Sequence, residues 1–388
     1  MHRLQQHPSE TMKVALLAPL FESVPPRFYG GTERVVANLC KGLQSRGIDV
    51  TLFATHDSTI DVKKISVSKE ALRLRKKQVV DQVPHHLKML ATVGKHASEF
   101  DIIHNHHDYW MLPLSFITRH PLLTTLHGQL QIPDIAYAFE SFENCAYVSI
   151  SNSQRPPLSH LPWVSTIYHG IDVDQFQFYE DPGKYLAFLG RISPEKKPEW
   201  AIEIAKKSGV PLKIAAKIEG KAGQDYFDQV IKKEIDGKFI EYVGEISENE
   251  KSEFLGNALG LTFPIDWPEP FGLVVIESLA CGTPVLARPM GSVPELLRDG
   301  FTGFCDLNIQ TLAKKVSMLH RISRSQCRAW VEQRFSLHRM TEDYIHVYRS
   351  LIQHSSASFL TPSGQGIRPY RNRRNFLYSI ERSLNRNP

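Results

Sequence analysis

Two carboxylates and the residues between them could do the chemistry in this chain. Glu269 and Glu277 fall within the run Leu261 to Ala287, LTFPIDWPEPFGLVVIESLACGTPVLA. If a helical rise applied throughout, they would stand about 12 Å apart and near one face. Phe271, Gly272 and Leu273 lie between them, where a helix is expected to open near Phe271. The amides of a helix's first turn lack intrahelical acceptors, and the helix dipole favours an anion there. An anion held between two hydroxyl-accepting carboxylates describes a nucleotide-sugar site. Taken alone, the same spacing also describes a solvated loop Glu and a helix Glu beside a buried turn.

Other stretches add charge and close backbone approach. Gly190-Arg191-Ile192-Ser193-Pro194-Glu195-Lys196-Lys197 follows an apolar run. A guanidinium and an ammonium at such a turn suit a diphosphate, and Lys196 rather than Lys197 is the expected ammonium. Tyr29-Gly30-Gly31-Thr32-Glu33 follows the first apolar run, and its Gly pair lets a backbone approach a ligand closely. The stretch is not GxGxxG, so a dinucleotide fingerprint is absent. His104-Asn105-His106-His107-Asp108 invites a metal reading. Consecutive residues at a strand end point to alternate sides, however, and zinc-site spacings are missing, so no metal is expected. His127 ends the run Leu122 to Leu126.

Doubly wound α/β units would position these residues. Strands are expected at 13–18, 49–54, 101–104, 122–126 and 146–151, then at 185–189, 212–216, 239–244, 261–263 and 285–287. Between them, Val35, Val36, Leu39 and Leu43 recur at helical spacing, and Gly47 ends that helix. Further helices are expected at 86–98, 113–118, 135–144, 199–207, 254–258, 291–300, 310–319, 324–335 and 341–353. The stretch 60–80 is charged and without clear period. A polar, Pro/Gly-punctuated segment, 175–183, marks a boundary. The expected organisation is a first domain over 12–178, a second over 184–335, a returning helix over 336–354 and a basic, disordered tail over 355–388.

Glu269-Pro270-Phe271-Gly272-Leu273, then Glu277, then Gly282-Thr283-Pro284-Val285, resembles the Glu-x7-Glu signature of glycosyltransferase family 4. The resemblance runs from about Met12 to Ile352. It implies a GT-B fold: two Rossmann-like domains facing each other across a cleft, with the last helix crossing back to the first domain. It implies a retaining transferase that moves a hexose from a UDP- or GDP-linked sugar, a substrate rather than a cofactor, to a glycan, lipid or small-molecule acceptor. The implied catalytic residues are His127, Arg191, Lys196 and Glu269. Gly30, Gly31, Phe271, Gly272, Leu273 and Glu277 are the implied donor contacts, with Ile246 in a base-contacting loop. Asn105 and His106 are the expected acceptor-side residues. The rival readings are a GT-B-fold nucleotide-sugar epimerase or phosphorylase, or a non-catalytic nucleotide-sugar-binding protein.

Composition bounds the setting. With 388 residues, 42% hydrophobic and 22% charged, the chain reads as a globular pair of domains without a membrane-spanning run. Its five cysteines show no paired spacing, which suggests a reducing compartment, so a cytoplasmic location is expected. From Ser355 onward, six Arg and one Glu account for the whole net charge of +5, leaving a neutral body. Such a tail suits an anionic membrane surface at the inner face. The neutral body gives no footprint for nucleic acid.

Overall fold

The computed structural model describes residues 11–27, 30–75, 79–142 and 145–359, with side chains to Ser355. The first sheet contains β1 (Lys13–Leu17), β2 (Asp49–Thr55), β3 (Lys63–Ser68), β4 (Ile102–Asn105), β5 (Leu122–Thr125), β6 (Ala146–Ser149) and β7 (Trp163–Thr166). Its order is β3-β2-β1-β4-β5-β6-β7, and all its pairs are parallel. The second sheet contains β8 (Tyr185–Arg191), β9 (Leu212–Lys217), β10 (Ile240–Gly244), β11 (Ala258–Phe263), β12 (Val285–Ala287) and β13 (Gly303–Cys305). Its order is β10-β9-β8-β11-β12-β13, again parallel. Each sheet reverses its winding once, at β1/β4 and at β8/β11. In open α/β sheets, ligands bind beyond the carboxyl ends of the strands at such a switch point.

β1 shows why the layers form. Val14 and Leu16 join one buried cluster, and Ala15 and Leu17 join another. Successive strand side chains point to opposite faces, so an unbroken apolar run needs cover on both. One face is covered by Val35 and Leu39 of the helix Gly31–Ser45. The other is covered by Met89 and Val93 of the helix Val83–His96. The second sheet has its own core, which includes Leu186, Ile214, Leu261, Ile276 and Leu286.

The last helix, Leu337–Phe359, belongs to the first domain's core. Met340, Tyr344, Val347 and Tyr348 pack with Val14, Leu16 and Leu43. Its approach to the helix Gly31–Ser45 is close: a Cβ on Gly42 would lie 2.0 Å from Thr341 Oγ1. Backbone bonds Ile171 N to Phe335 O (2.9 Å) and Leu337 N to Ile171 O (2.8 Å) tie its start to the crossing between the domains.

Several elements differ from the sequence reading. The charged stretch 60–80 contains β3, an edge strand whose first residues are polar and partly exposed. The helix expected at 254–258 runs Glu248–Gly256, opened by a capping box between Ser247 and Glu250, and Ala258 already belongs to β11. A helix begins at Gly220 in a stretch read without one. The helix after Gly291 is only Val293–Leu296. The arginines of the basic tail lie outside the described residues. Among the described residues, no helix is long and apolar enough to cross a membrane. The five cysteines form no disulfide among the described residues.

Candidate active site

The carboxyl ends of the two sheets enclose a cleft of about 530 Å³. Gly30, Gly31, His127, Arg191, Lys196, Ile246, Glu269, Phe271, Gly272, Leu273 and Glu277 all line it. The two Gly-bearing turns face each other: a Cβ on Gly31 would lie 3.7 Å from Leu273 Cδ1.

The helix between the two carboxylates is shorter than expected. It spans Leu273–Ala280, and Gly272 sits before it with φ 91°, a left-handed conformation that glycine adopts without penalty. Val275 N already donates to Gly272 O (3.0 Å), so the amides of Leu273 and Val274 form the helix's positive end. Glu269 therefore lies in a loop before the helix, and the uniform helical path between the carboxylates does not hold. Phe271 is buried under His169 (ring centroids 4.7 Å), and its carbonyl accepts from Ser292 Oγ at 2.6 Å.

Each carboxylate has a lysine partner. Lys196 Nζ lies 2.5 Å from Glu269 Oε2, and Trp267 Nε1 donates to the same oxygen at 3.1 Å. The ammonium also sits over the Trp267 ring at 4.7 Å. Both members of this pair are 9% exposed. Lys251 Nζ reaches both oxygens of Glu277, at 2.9 and 3.1 Å, and Glu277 is 2% exposed. Lys251 also pairs with Glu248 at 3.1 Å, and Glu248 pairs with Arg34 across the cleft. Arg191 is the last residue of β8 and pairs with Glu195 (3.3 Å) and Glu219 (3.4 Å). Lys197 turns away from the cleft lining, in a left-handed conformation (φ 52°), with its ammonium over Trp200 at 4.9 Å.

The first domain contributes a chain of histidines. His106 Nδ1 is hydrogen-bonded to His127 Nε2 at 2.9 Å, and His106 Nε2 meets His104 Nδ1 at 3.2 Å. His104 in turn bonds Tyr348 Oη (2.6 Å) and Thr125 Oγ1 (2.8 Å). Burial pulls the His127 and His107 imidazoles down to about 3, and pushes His104, His106 and His169 well below the usual range. All five are therefore neutral at physiological pH. Two carboxyls of the same wall move the other way: burial raises Glu33 to about 7 and Asp108 to about 6.

Asn105 and His106 do not line the cleft. Both are fully buried: Asn105 accepts from His107 N (2.8 Å) and donates to the Asp108 carbonyl (2.7 Å). The residues that reach the wall are the next two, His107 and Asp108, together with Trp110. Asp108 turns there with φ 46°. The sequence reading also missed Lys251, Trp267 and Glu295. Trp267 stands two residues from Glu269 and was open to inspection. Lys251 lies 26 residues from Glu277, with nothing local to link them. Glu295 accepts from Asn152 N (2.8 Å), Ser153 N (2.9 Å) and Tyr168 Oη (2.9 Å), joining the domains behind the cleft.

Comparison with known proteins fits this geometry. Residues 29–175 match the model of Glycosyltransferase Family 4, and residues 172–333 match that of Glycosyl transferases group 1. The D-inositol 3-phosphate glycosyltransferase of Mycobacterium marinum is 24% identical over 332 residues, 71% of this chain and 69% of its own. An uncharacterized 41.2 kDa protein in the cps region of Klebsiella pneumoniae is 27% identical over 172 residues, 42% of this chain and 46% of its own length. Sucrose-phosphate synthase from Thermosynechococcus elongatus superposes with TM-score 0.73 at 18% identity, covering 88% of this chain and 100% of that one. HepE of Anabaena, in complex with UDP and glucose, superposes with TM-score 0.68 at 20% identity, covering 87% and 100%. The fold is GT-B. The adjoining family matches, each over less than half of the chain, support a glycosyltransferase of the family 4 type.

Proposed function

We propose that this protein transfers a hexose, with retention of anomeric configuration, from a UDP- or GDP-linked sugar to a hydroxyl of the acceptor. The observation that carries the reading is the pair of lysine-held carboxylates, Glu269 and Glu277, on either side of the Leu273 helix start in one cleft. In this reading Glu277 accepts from the ribose hydroxyls, and Lys251 fixes its carboxylate. Ile246 borders the base. Arg191, Lys196 and the amides at Gly272 and Leu273 hold the diphosphate, with Gly30 and Gly31 approaching it from the other domain. Glu269 accepts from hexose hydroxyls, and His127, neutral, orients the same ring from the opposite wall.

The bond that breaks joins the anomeric carbon to the phosphate oxygen, and negative charge grows on that oxygen. Preorganised cations and amides aimed at developing charge are worth most in a water-poor site. Arg191 and Lys196 stand there already, which is why the reaction is expected to run in chelator. The acceptor oxygen bonds the anomeric carbon from the same face, and its proton passes to the departing phosphate oxygen. HepE, crystallised with UDP-glucose, gives the precedent for a UDP-linked donor in this fold.

A thermal-shift panel of nucleotide sugars, followed by product NMR with the stabilising donor, tests the reading. A bound donor raises the melting temperature by mass action, and the transferred sugar should keep its anomeric configuration. An inverted product would overturn retention. An isomerised nucleotide sugar formed from donor alone would overturn transfer.

A further inference from the structure

We infer that the acceptor is an uncharged sugar ring, the end of a glycan, laid against Trp110 in the first-domain half of the cleft. This rests on the transferase reading and narrows its acceptor.

That half of the cleft is lined by Phe21, Glu33, Arg73, His107, Asp108 and Trp110. Trp110 is half-buried and stacked on His86, with ring centroids 4.1 Å apart and planes at 30°. His86 is itself held by His107 Nε2 through its Nδ1, at 2.7 Å. The indole is therefore fixed in place before any ligand arrives. Phe21 stands beside the His86 and His107 rings, with centroids 5.9 and 6.4 Å away. A sugar offers apolar C–H faces to such rings and a rim of hydroxyls to polar groups. Rigid aromatic surface with a few convergent polar groups is how small-molecule pockets secure both affinity and orientation.

The polar groups decide the charge of the ligand. Glu33 and Asp108 are carboxyls, suited to sugar hydroxyls and opposed to a phosphate. The cations of the same wall are engaged by carboxylates: Arg34 by Glu248, and Arg73 by Glu22 and Glu219, both at 3.7 Å. Arg73 also lies over Phe21 at 5.4 Å. His107 and His127 are kept neutral by burial. Glu33 and Asp108 stand on this wall in addition to the carboxylates that hold Arg34 and Arg73, so acidic groups outnumber cations there. Arg191 and Lys196 belong to the opposite wall, where the donor diphosphate is placed.

The test pairs acceptors that differ by one phosphate: glucose with glucose 6-phosphate, and inositol with inositol 3-phosphate. A short oligosaccharide is added, and nucleoside diphosphate release is read above the donor-alone rate. The uncharged members should give at least tenfold higher kcat/KM. A tenfold preference for either phosphorylated member would overturn the inference. Trp110→Ala should raise the acceptor KM about tenfold or more, as for a buried aromatic anchor, with donor affinity within twofold. Trp110→Phe should recover part of the loss, and an unchanged acceptor KM in Trp110→Ala would again overturn it. Asp108→Asn keeps a residue tolerant of the left-handed backbone; it should weaken the uncharged acceptor and narrow the gap to the phosphorylated one, and an unchanged KM for the uncharged acceptor would contradict the proposal. If the parent protein neither bound nor cleaved any donor, the transferase reading itself would fall. That result is distinct from transfer to the wrong acceptor.

Discussion

Lys196 and Glu269 form a buried ion pair at the second sheet's switch point, Nζ to Oε2 at 2.5 Å, one residue following β8 and the other β11. Removing one partner of such a pair leaves an uncompensated charge and typically costs about 3–5 kcal/mol. Lys196→Met should therefore destabilise the fold more than the double variant Lys196→Met/Glu269→Gln, as read by urea denaturation. Activity should separate the two roles. Lys196→Met should lower transfer about 10²–10³-fold and weaken nucleoside diphosphate, having removed a stabiliser of developing charge. Glu269→Gln should damage transfer while nucleoside diphosphate binds within about threefold of the parent. Equal loss of nucleotide affinity in both would mean that Glu269 does not face the hexose.

Glu277 depends on Lys251, whose ammonium bridges both its oxygens. Glu277→Ala should weaken nucleotide and nucleotide sugar alike, by about 1.5–3 kcal/mol for a lost charge-assisted hydrogen bond. Lys251→Met should show the same pattern more weakly, and Lys251→Arg should restore most of it. Calorimetry with the bare nucleotide decides: unchanged affinity in Glu277→Ala would remove it from the ribose.

Gly291 guards the loop that carries Glu269. Its φ is 59°, and a Cβ there would lie 2.4 Å from both the amide nitrogen and the carbonyl oxygen of Glu269. The adjacent Ser292 N donates to that carbonyl at 2.9 Å. Gly291→Ala should displace the Glu269 backbone. A catalytic group moved by about 1 Å loses on the order of 10²-fold in rate. The measurement is kcat with saturating donor; a variant within threefold of the parent would show that the loop tolerates the shift.

Stability should fall on the acid side of neutrality. The depressed histidines, His104, His106, His107, His127 and His169, stay unprotonated when folded, whereas the unfolded chain takes up protons below about pH 6.5. Their contribution is fully present above that pH and is lost as pH falls towards about 3, at about 1.4 kcal/mol per pH unit for each. Glu33 and Asp108, raised to about 7 and about 6, act oppositely, since the folded form holds protons that the unfolded form has released. The depressed imidazoles outnumber the raised carboxyls, so unfolding takes up protons on balance below about pH 6. Denaturation midpoints at pH 7.5 and pH 5 should differ accordingly, with the lower at pH 5. Equal midpoints would mean that the histidines are solvated.

The sequence by itself determined the layers and the glycines, carboxylates and cations that stand out in the cleft lining. Apolar runs such as Lys13–Leu17, helix periods such as Val35-Leu39-Leu43, and stops such as Gly47 are local signals, because strand and helix periodicity act over a few residues. The Gly-rich turns, Arg191, Lys196, Glu269 and Glu277 stood out for the same reason: each sits in a short run whose composition sets its backbone. Even the helix Glu248–Gly256 was legible in its Ser247–Glu250 capping box, though it was placed too late. β3 was hidden because an edge strand with a polar first half lacks alternation. Only the tertiary structure decided which charge meets which: Lys251 with Glu277, Lys196 with Glu269, and Arg34 with Glu248 across the domains. It also decided that His106 supports His127 from behind while His107 and Asp108 face the cleft. Those choices depend on how strands distant in sequence come side by side. Pairing of that kind is set by sheet order and by burial on both faces, and it leaves no period in the chain.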